Sequence, residues 1–253
     1  MPSKKILVVS DLHSGSAVGL TPISWQVDKW AFAEGPLWSW YEKTVKDIGP
    51  VDVCVANGDM VDGEGKAETI GLLTTDVEEQ AFMAAEAMKC IKAKKFYMTY
   101  GTPFHTVGSL NYEHIVADKV GCAISDTVFL DVNGTRFSFR HTVGASGTPY
   151  TQGTQAYKEA VRDILDAVDN DAEPADVIVR SHVHNYFRAE SPERMAITTP
   201  CLQVPVSVFG RRCRSWRYHI GMVLFEVSDK GEVNVKPYIM PLKLTVRREY
   251  EKI

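Results

Sequence analysis

The 253-residue chain has only five cysteines. Cys54, Cys90, Cys122, Cys201 and Cys213 are odd in number and far apart, which excludes a disulfide framework and fits a reducing cytoplasm. No run of 18 apolar residues occurs, so nothing in the sequence reads as a membrane span. The apolar residues 6–9 are too few for the core of a signal peptide, and the chain is read as cytoplasmic. Positive charge is not in excess: 28 Lys and Arg against 32 Asp and Glu leave a net charge of -4. That excludes coating of nucleic acid through bulk electrostatics, although bound cations would reverse the field locally. No repeat, low-complexity tract or Pro/Gly/Ser linker marks a boundary, so residues 1–253 are expected to form a single domain.

What the chain does have is a series of short apolar runs. Residues 6–10, 51–56 and 96–100 each read as a buried strand ending at a polar motif. Between them, residues 25–47 form a helical candidate interrupted near Gly35-Pro36. Residues 76–94 form a second, acidic at its start and basic at its end as the helix dipole favours. Residues 111–120 read as a third, with Gly121 as its C-cap. The pattern then changes. Residues 127–132 and 136–141 flank Asn133-Gly134, a two-residue hairpin signal. Residues 155–168 read as helix, 177–180 as strand, and 201–208, 218–227 and 233–239 as further strands. A βαβα first half followed by a strand-rich second half implies an α/β fold of two packed sheets with helices outside.

Five segments carry metal-binding side chains: Asp11-Leu12-His13, Gly58-Asp59-Met60-Val61-Asp62, Gly101-Thr102-Pro103-Phe104-His105, His141, and Ser181-His182-Val183-His184. They hold five of the seven histidines. Asp-x-His just after a strand can turn both side chains toward one ion. Asp59 offers two oxygens, able to bridge two cations, and Gly58 permits a close backbone approach. Asp62 is placed to orient a ligand. Histidines at i and i+2 off a strand end can occupy neighbouring coordination positions. Each motif alone has a bland reading, and a lone His141 would more often be an ordinary, partly buried histidine. Together, imidazole and carboxylate in this number suit two borderline divalent ions. Two such ions about 3.5–4 Å apart clamp in-line displacement at phosphorus, which implies a metal-dependent phosphoesterase.

In this order the motifs resemble those of the calcineurin-like metallophosphoesterase superfamily, whose pattern is Asp-x-His, Gly-Asp-x-x-Asp, Gly-Asn-His-Asp/Glu, His and Gly-His-x-His. The resemblance spans residues 11–184. It implies a four-layer αββα sandwich with two mixed β-sheets. It implies hydrolysis of phosphate esters; His105, suited to an alkoxide leaving group, and Arg211, Arg212 and Arg214, able to grip a flanking phosphate, favour phosphodiester bonds and a nuclease or phosphodiesterase, with a phosphomonoesterase as the alternative and a non-catalytic scaffold as a remote one. It also implies two divalent metal ions, Mn in vitro, with Fe, Zn, Ni, Co or Mg able to substitute. Asp11, His13, Asp59 and His184 would hold the first ion, and Asp59 would bridge to a second held also by His141 and His182. The nucleophile would be metal-bound hydroxide. His105 would be the non-ligand histidine that contacts the phosphate and protonates the leaving oxygen.

The chain departs from the pattern at two places. Thr102 stands where the family has an asparagine ligand, with two residues intervening before His105. The Thr102 hydroxyl or carbonyl, or water, would fill that position, with Asn111 ranked lower. Ser181 replaces the glycine before His-x-His. Gly-Thr-Pro-x-His loops look similar to a phage and prophage branch of phosphoesterases, for which the setting would be the host cytoplasm. The implied partner is a phosphate ester, with nucleic acid or nucleotides as candidates, and no membrane.

Outside this set, Arg211, Arg212 and Arg214 cluster with Trp216 and Arg217. They form either a solvated loop or a basic wall holding a phosphodiester near the metals. The aromatic residues Trp25, Trp30, Trp38, Trp40 and Tyr41 either pack against the sheet or line the cleft. Residues 144–153 are either a substrate-facing lid or an ordinary connection.

Overall fold

The computed structural model describes residues 2–27, 31–64, 71–103, 111–145, 151–205 and 218–241, except for the side chains of 31–33 and 152. The first half runs β1 (Lys4–Val9), α1 (Ala31–Ile48), β2 (Val51–Asn57), α2 (Val77–Lys89), β3 (Ala93–Thr99), α3 (Glu113–Val120) and β4 (Ala123–Ser125). The second runs β5 (Val128–Val132), β6 (Thr135–Arg140), α4 (Gln152–Asp169), β7 (Val177–Arg180), β8 (Phe187–Glu190), β9 (Met195–Thr198), β10 (Gly221–Val227) and β11 (Val233–Ile239). One sheet has the order β11-β10-β1-β2-β3-β4 and the other β5-β6-β7-β9-β8. Both are mixed: β1 to β4 are parallel neighbours with β10 antiparallel to β1, and β6, β7 and β9 are parallel with antiparallel β5 and β8 at the edges.

Alternation along the strands builds the layers, because successive side chains leave opposite faces. In β1, Leu7 and Val9 pack outward with Leu37, Trp38, Tyr41 and Val45 of α1 and with Ala81, Ala84 and Met88 of α2. Ile6 and Val8 point inward. With Val55, Val223 and Phe225 they meet Phe137, Phe139, Val177, Val179 and Ile197 of the second sheet. On that sheet's far side Ile178 and Ala196 pack against Ala156 and Ala160 of α4. The result is the expected four-layer αββα sandwich. No helix among the described residues is long and apolar enough to cross a membrane.

Local signals place several elements. Asp76 caps α2 by accepting from the N–H groups of Glu78 and Glu79. Gly121 closes α3 at φ 77, and Asn133 and Gly134 take φ 55 and 86 in the β5–β6 turn, as a two-residue hairpin requires. Other expectations fail for physical reasons. Pro36 lies inside α1 instead of interrupting it. Burial of Leu37, Trp38 and Tyr41 against the sheet outweighs the one backbone hydrogen bond that proline forfeits. The helix expected over 76–94 stops at Lys89, because residues 93–95 are drawn into parallel pairing with β2. The strand expected over 201–208 forms only an isolated bridge at Cys201 within its described part, and the pairing segment is instead β9. Strand 218–227 begins at Gly221.

Behind the second sheet, Glu159 of α4 ties strand ends together. Its Oε2 accepts from Arg180 Nε at 3.0 Å and from an Arg140 guanidinium nitrogen at 2.6 Å, and its Oε1 accepts from Arg162. Glu159 is 1% exposed and Arg180 3%. Burial disfavours the Glu159 charge, but hydrogen bonding and charge from Arg180, with help from Arg162 and Arg140, hold its carboxyl below the usual carboxylate range. Burial and the Arg140 charge pull Arg180 below its ordinary range, so the gain is on the carboxylate side. Arg180 without its partner would be an uncompensated buried cation. Glu159→Ala is therefore expected to destabilise the fold by about 3–5 kcal/mol in urea titrations at neutral pH. The depressed carboxyl pKa sets the sign of the pH dependence: the wild-type advantage is present above the ordinary value of 4.5 and shrinks as pH falls below it.

Candidate metal centre

Asp11 and His13 follow β1, Asp59 follows β2, Thr102 follows β3, His141 follows β6, and His182 and His184 follow β7. They form two groups, Asp11, His13 and His184, and Asp59, His141 and His182. Within each, the candidate ligand atoms lie within 4.8 Å of one another. Asp11 Oδ1 links the groups, 3.0 Å from His184 Nε2 and 4.0 Å from His141 Nε2. His141 Nε2 in turn lies 3.0 Å from Asp59 Oδ2.

The loops that hold these residues are strained. Asp11, His13, Asp59, His182 and His184 have φ of 52, 47, 52, 69 and 54, in the left-handed region that L side chains seldom enter. Backbone hydrogen bonds impose it. Asp11 N–H donates to Gly58 O at 3.0 Å, His13 N–H to Asp59 O at 3.1 Å and Ser14 N–H to Met60 O at 3.1 Å, carrying the β1–β2 association past the strand ends. Gly58, at φ 78, sits where a Cβ would meet the His141 ring at 2.6 Å. A Cβ on Gly101 would lie 2.1 Å from Asp59 Oδ1, so the β3 loop approaches Asp59 only because that position is glycine.

Hydrogen bonds fix the imidazoles. His141 Nδ1 faces the Asn57 carbonyl at 2.8 Å, which only accepts, so this nitrogen carries a proton. His13 Nδ1 faces Asp62 Oδ1 at 3.0 Å and likewise donates. Tyr218 donates its hydroxyl proton to Gln203 Oε1 at 3.0 Å, so its oxygen accepts from His184 Nδ1. In all three rings Nε2 is left as the ligand atom, and the three point into the shared space between the groups. His13 Nε2 and His184 Nε2 are 3.3 Å apart. Asp11 Oδ1 and His141 Nε2, one from each group, are buried without a hydrogen bond, which fits atoms aimed at cations. The donor set, four imidazoles and two carboxylates, suits borderline divalent ions.

The charges also fit. Burial opposes protonation of His141, but the Asp59 and Asp11 carboxylates outweigh it and lift the ring to about 9. Burial likewise opposes protonation of His184, and Cys201 and Asp11 push it well above its ordinary value. His182 moves the other way, lowered by burial and by His141. Asp11 is held low by His184 and His141 against the pull of burial. The carboxylates attract positive charge at the two places where the groups converge.

Thr102 grips Asp59: its N–H donates to Oδ1 at 2.6 Å and its hydroxyl lies 3.1 and 3.2 Å from the two carboxylate oxygens. The Asn111 side chain accepts from Glu113 N–H at 3.0 Å and its carbonyl from His114 N–H at 3.2 Å, so it serves the start of α3. Of the sequence-derived site residues, Asp11, His13, Asp59, Asp62, Thr102, His141, His182 and His184 therefore come together. His105, Arg211, Arg212 and Arg214 lie outside the described residues, as do 146–150 of the 144–153 segment. Trp38 and Tyr41 pack into the core beneath the first sheet.

Two participants were not visible in the motifs. Glu113, 4% exposed, accepts from Met60 N–H at 3.0 Å and from Gly101 N–H, joining the loop of Asp59 to the loop of Thr102 with one carboxylate. Burial and the Asp59 charge raise its pKa to about 7 despite those two donors. In sequence it is simply an acidic residue in a helix's first turn. Tyr218 likewise precedes a strand with nothing to single it out. Glu113→Gln would set an amide NH2 against one of the two N–H groups, and Tyr218→Phe would release His184 Nδ1. Each variant is expected to keep its circular dichroism spectrum while binding Mn about 10–100-fold more weakly by calorimetry. Wild-type affinity in either would remove that residue from the supporting network.

No known family profile and no curated protein matches the chain. Among solved structures, a Staphylococcus aureus protein provisionally named a 5'-nucleotidase, in complex with α-ketoglutarate, is 10% identical with a TM-score of 0.50. That match covers 94% of this chain and 54% of the other. An archaeal phosphodiesterase is 13% identical over 92% of this chain and 99% of its own, with a TM-score of 0.48. Vacuolar Protein Sorting 29 from Cryptosporidium parvum is 11% identical over 95% and 99%, also at 0.48. With two mixed sheets, helices on both outer faces and two candidate metal groups at the strand ends, the chain has the calcineurin-like metallophosphoesterase fold.

Proposed function

We propose that the protein is a phosphoric-ester hydrolase working with two divalent cations, and that phosphodiesters, including those of nucleic acids or nucleotides, are its substrates. The observation that carries this reading is the convergence of Asp11, His13 and His184 beside Asp59, His141 and His182, with Asp11 spanning the gap. Asp59 is the proposed bridge, and Thr102 orients it. Cations bound there supply Lewis-acid polarisation of a phosphoryl oxygen and support for the charge that develops on it. The protein's own task is then to hold the ester in line and to deliver a proton to the departing oxygen. His105 is the proposed donor, and Arg211, Arg212 and Arg214 the proposed grip on a flanking phosphate. A phosphomonoesterase is the second reading, because the same ligand groups serve either ester. A non-catalytic scaffold is disfavoured by the retention of both groups.

The reading is tested with Mn-supplemented protein, which is expected to hydrolyse bis-p-nitrophenyl phosphate faster than p-nitrophenyl phosphate and to lose both activities on chelation. Inactivity toward every ester in a panel of metals would end it, and the reverse preference would select the monoesterase. For the proton donor, His105→Ala is expected to keep its metal content while losing rate most on esters with poor leaving groups. A uniform loss across leaving groups would argue for a binding role instead.

A further inference from the structure

Helix α4 turns its small residues inward and its large apolar residues outward. Ala156 and Ala160 meet the second sheet, whereas Tyr157, Val161, Leu165 and Val168 are 59, 43, 59 and 71% exposed. Their spacing of four, four and three residues puts them on one face. One position further round, Lys158, Arg162, Asp166 and Asp169 form an exposed flank that reads positive, positive, negative, negative. Lys158, Asp166 and Asp169 make no ion pair among the described residues, while Arg162 reaches back to Glu159 at 2.6 Å with its side chain 62% exposed. Beside the apolar stripe runs a groove between α4 and the β8–β9 hairpin, lined by Tyr157, Val161, Ile164 and Ala189.

An apolar stripe of this length on a soluble surface marks a contact, and the charges beside it decide with what. We infer that α4 packs antiparallel against α4 of a second copy of this chain about a two-fold axis. Such an axis sets the same flank of each helix beside itself in reverse. Lys158 and Arg162 then lie along Asp166 and Asp169 of the second copy, and the reverse. In a parallel pair the two copies of this flank would fall on opposite sides of the contact, and Lys158 and Arg162 would not meet Asp166 and Asp169 of the second copy. A partner helix of uniform charge would meet repulsion over half the flank. The antiparallel arrangement also matches shapes: Leu165 and Val168 of one copy arrive at the Tyr157 end of the other, where the groove lies. None of these residues belongs to the metal groups, so the contact is independent of the proposed hydrolysis.

Sedimentation equilibrium on the full chain, from micromolar to about 100 µM, is expected to show a monomer–dimer equilibrium. Leu165→Glu, at an exposed position, is expected to abolish the dimer with circular dichroism and Mn-dependent hydrolysis unchanged. Lys158→Glu is expected to weaken association by about 10-fold, and adding Asp169→Lys to restore it. A wild-type monomer throughout the range, a dimer indifferent to Leu165→Glu, or a charge reversal that the second substitution fails to rescue would each overturn the assignment.

Discussion

The site depends on a short ladder of backbone hydrogen bonds that outlasts its strands. Beyond Val9 and Asn57 the two chains no longer run as regular β-structure, yet Asp11, His13 and Ser14 still donate to Gly58, Asp59 and Met60. Those bonds hold Asp11, His13 and Asp59 in a backbone conformation they would not choose alone. Left-handed backbone reverses the direction in which a side chain leaves the chain, so these three polar groups are swung toward the same space. The second sheet does likewise with His182 and His184 after β7, where Ser181 N–H donates to His141 O and His219 N–H to His184 O. Strain at a ligand position thus reflects secondary structure carried a few residues too far, and held there.

Much of the clustering of candidate ligands was legible in the sequence because its signals are local. A strand ending in Asp-x-His or His-x-His places chemistry at a known point whatever the rest of the chain does. The hairpin at Asn133-Gly134 and the caps at Asp76 and Gly121 were legible for the same reason: each motif contains the physical cause of its own conformation. What escaped was set by distant partners. Pro36 reads as a break until the burial of Trp38 and Tyr41 is known. Residues 93–95 read as the tail of a helix until β2 lies beside them. Glu113 and Tyr218 act through contacts 53 and 34 residues away in the chain, which no window of local sequence contains.

Thr102 shows how a departure from a pattern can be absorbed. An asparagine would offer an amide oxygen; threonine offers a hydroxyl and, with its own N–H, two donors to the Asp59 carboxylate. Here the β3 loop holds a candidate ligand in place, and Glu113 reinforces this by holding Gly101 beside the same residue. Specification of the carboxylate thereby moves from one side chain to a small assembly of backbone groups.

Each metal group also draws on both layers of the sandwich. Asp11 and His13 leave the first sheet and meet His184 from the second, while Asp59 leaves the first and meets His141 and His182 from the second. A cation held in either group is therefore a rivet through the inter-sheet core, joining the two halves at their ligand-bearing ends. Because the unfolded chain cannot assemble these ligands, occupancy adds to folding stability by mass action, in proportion to the logarithm of cation concentration above the dissociation constant. Any cation that these groups hold would thus be thermodynamically linked to the integrity of the β-sandwich, and cation supply would govern the lifetime of the folded protein.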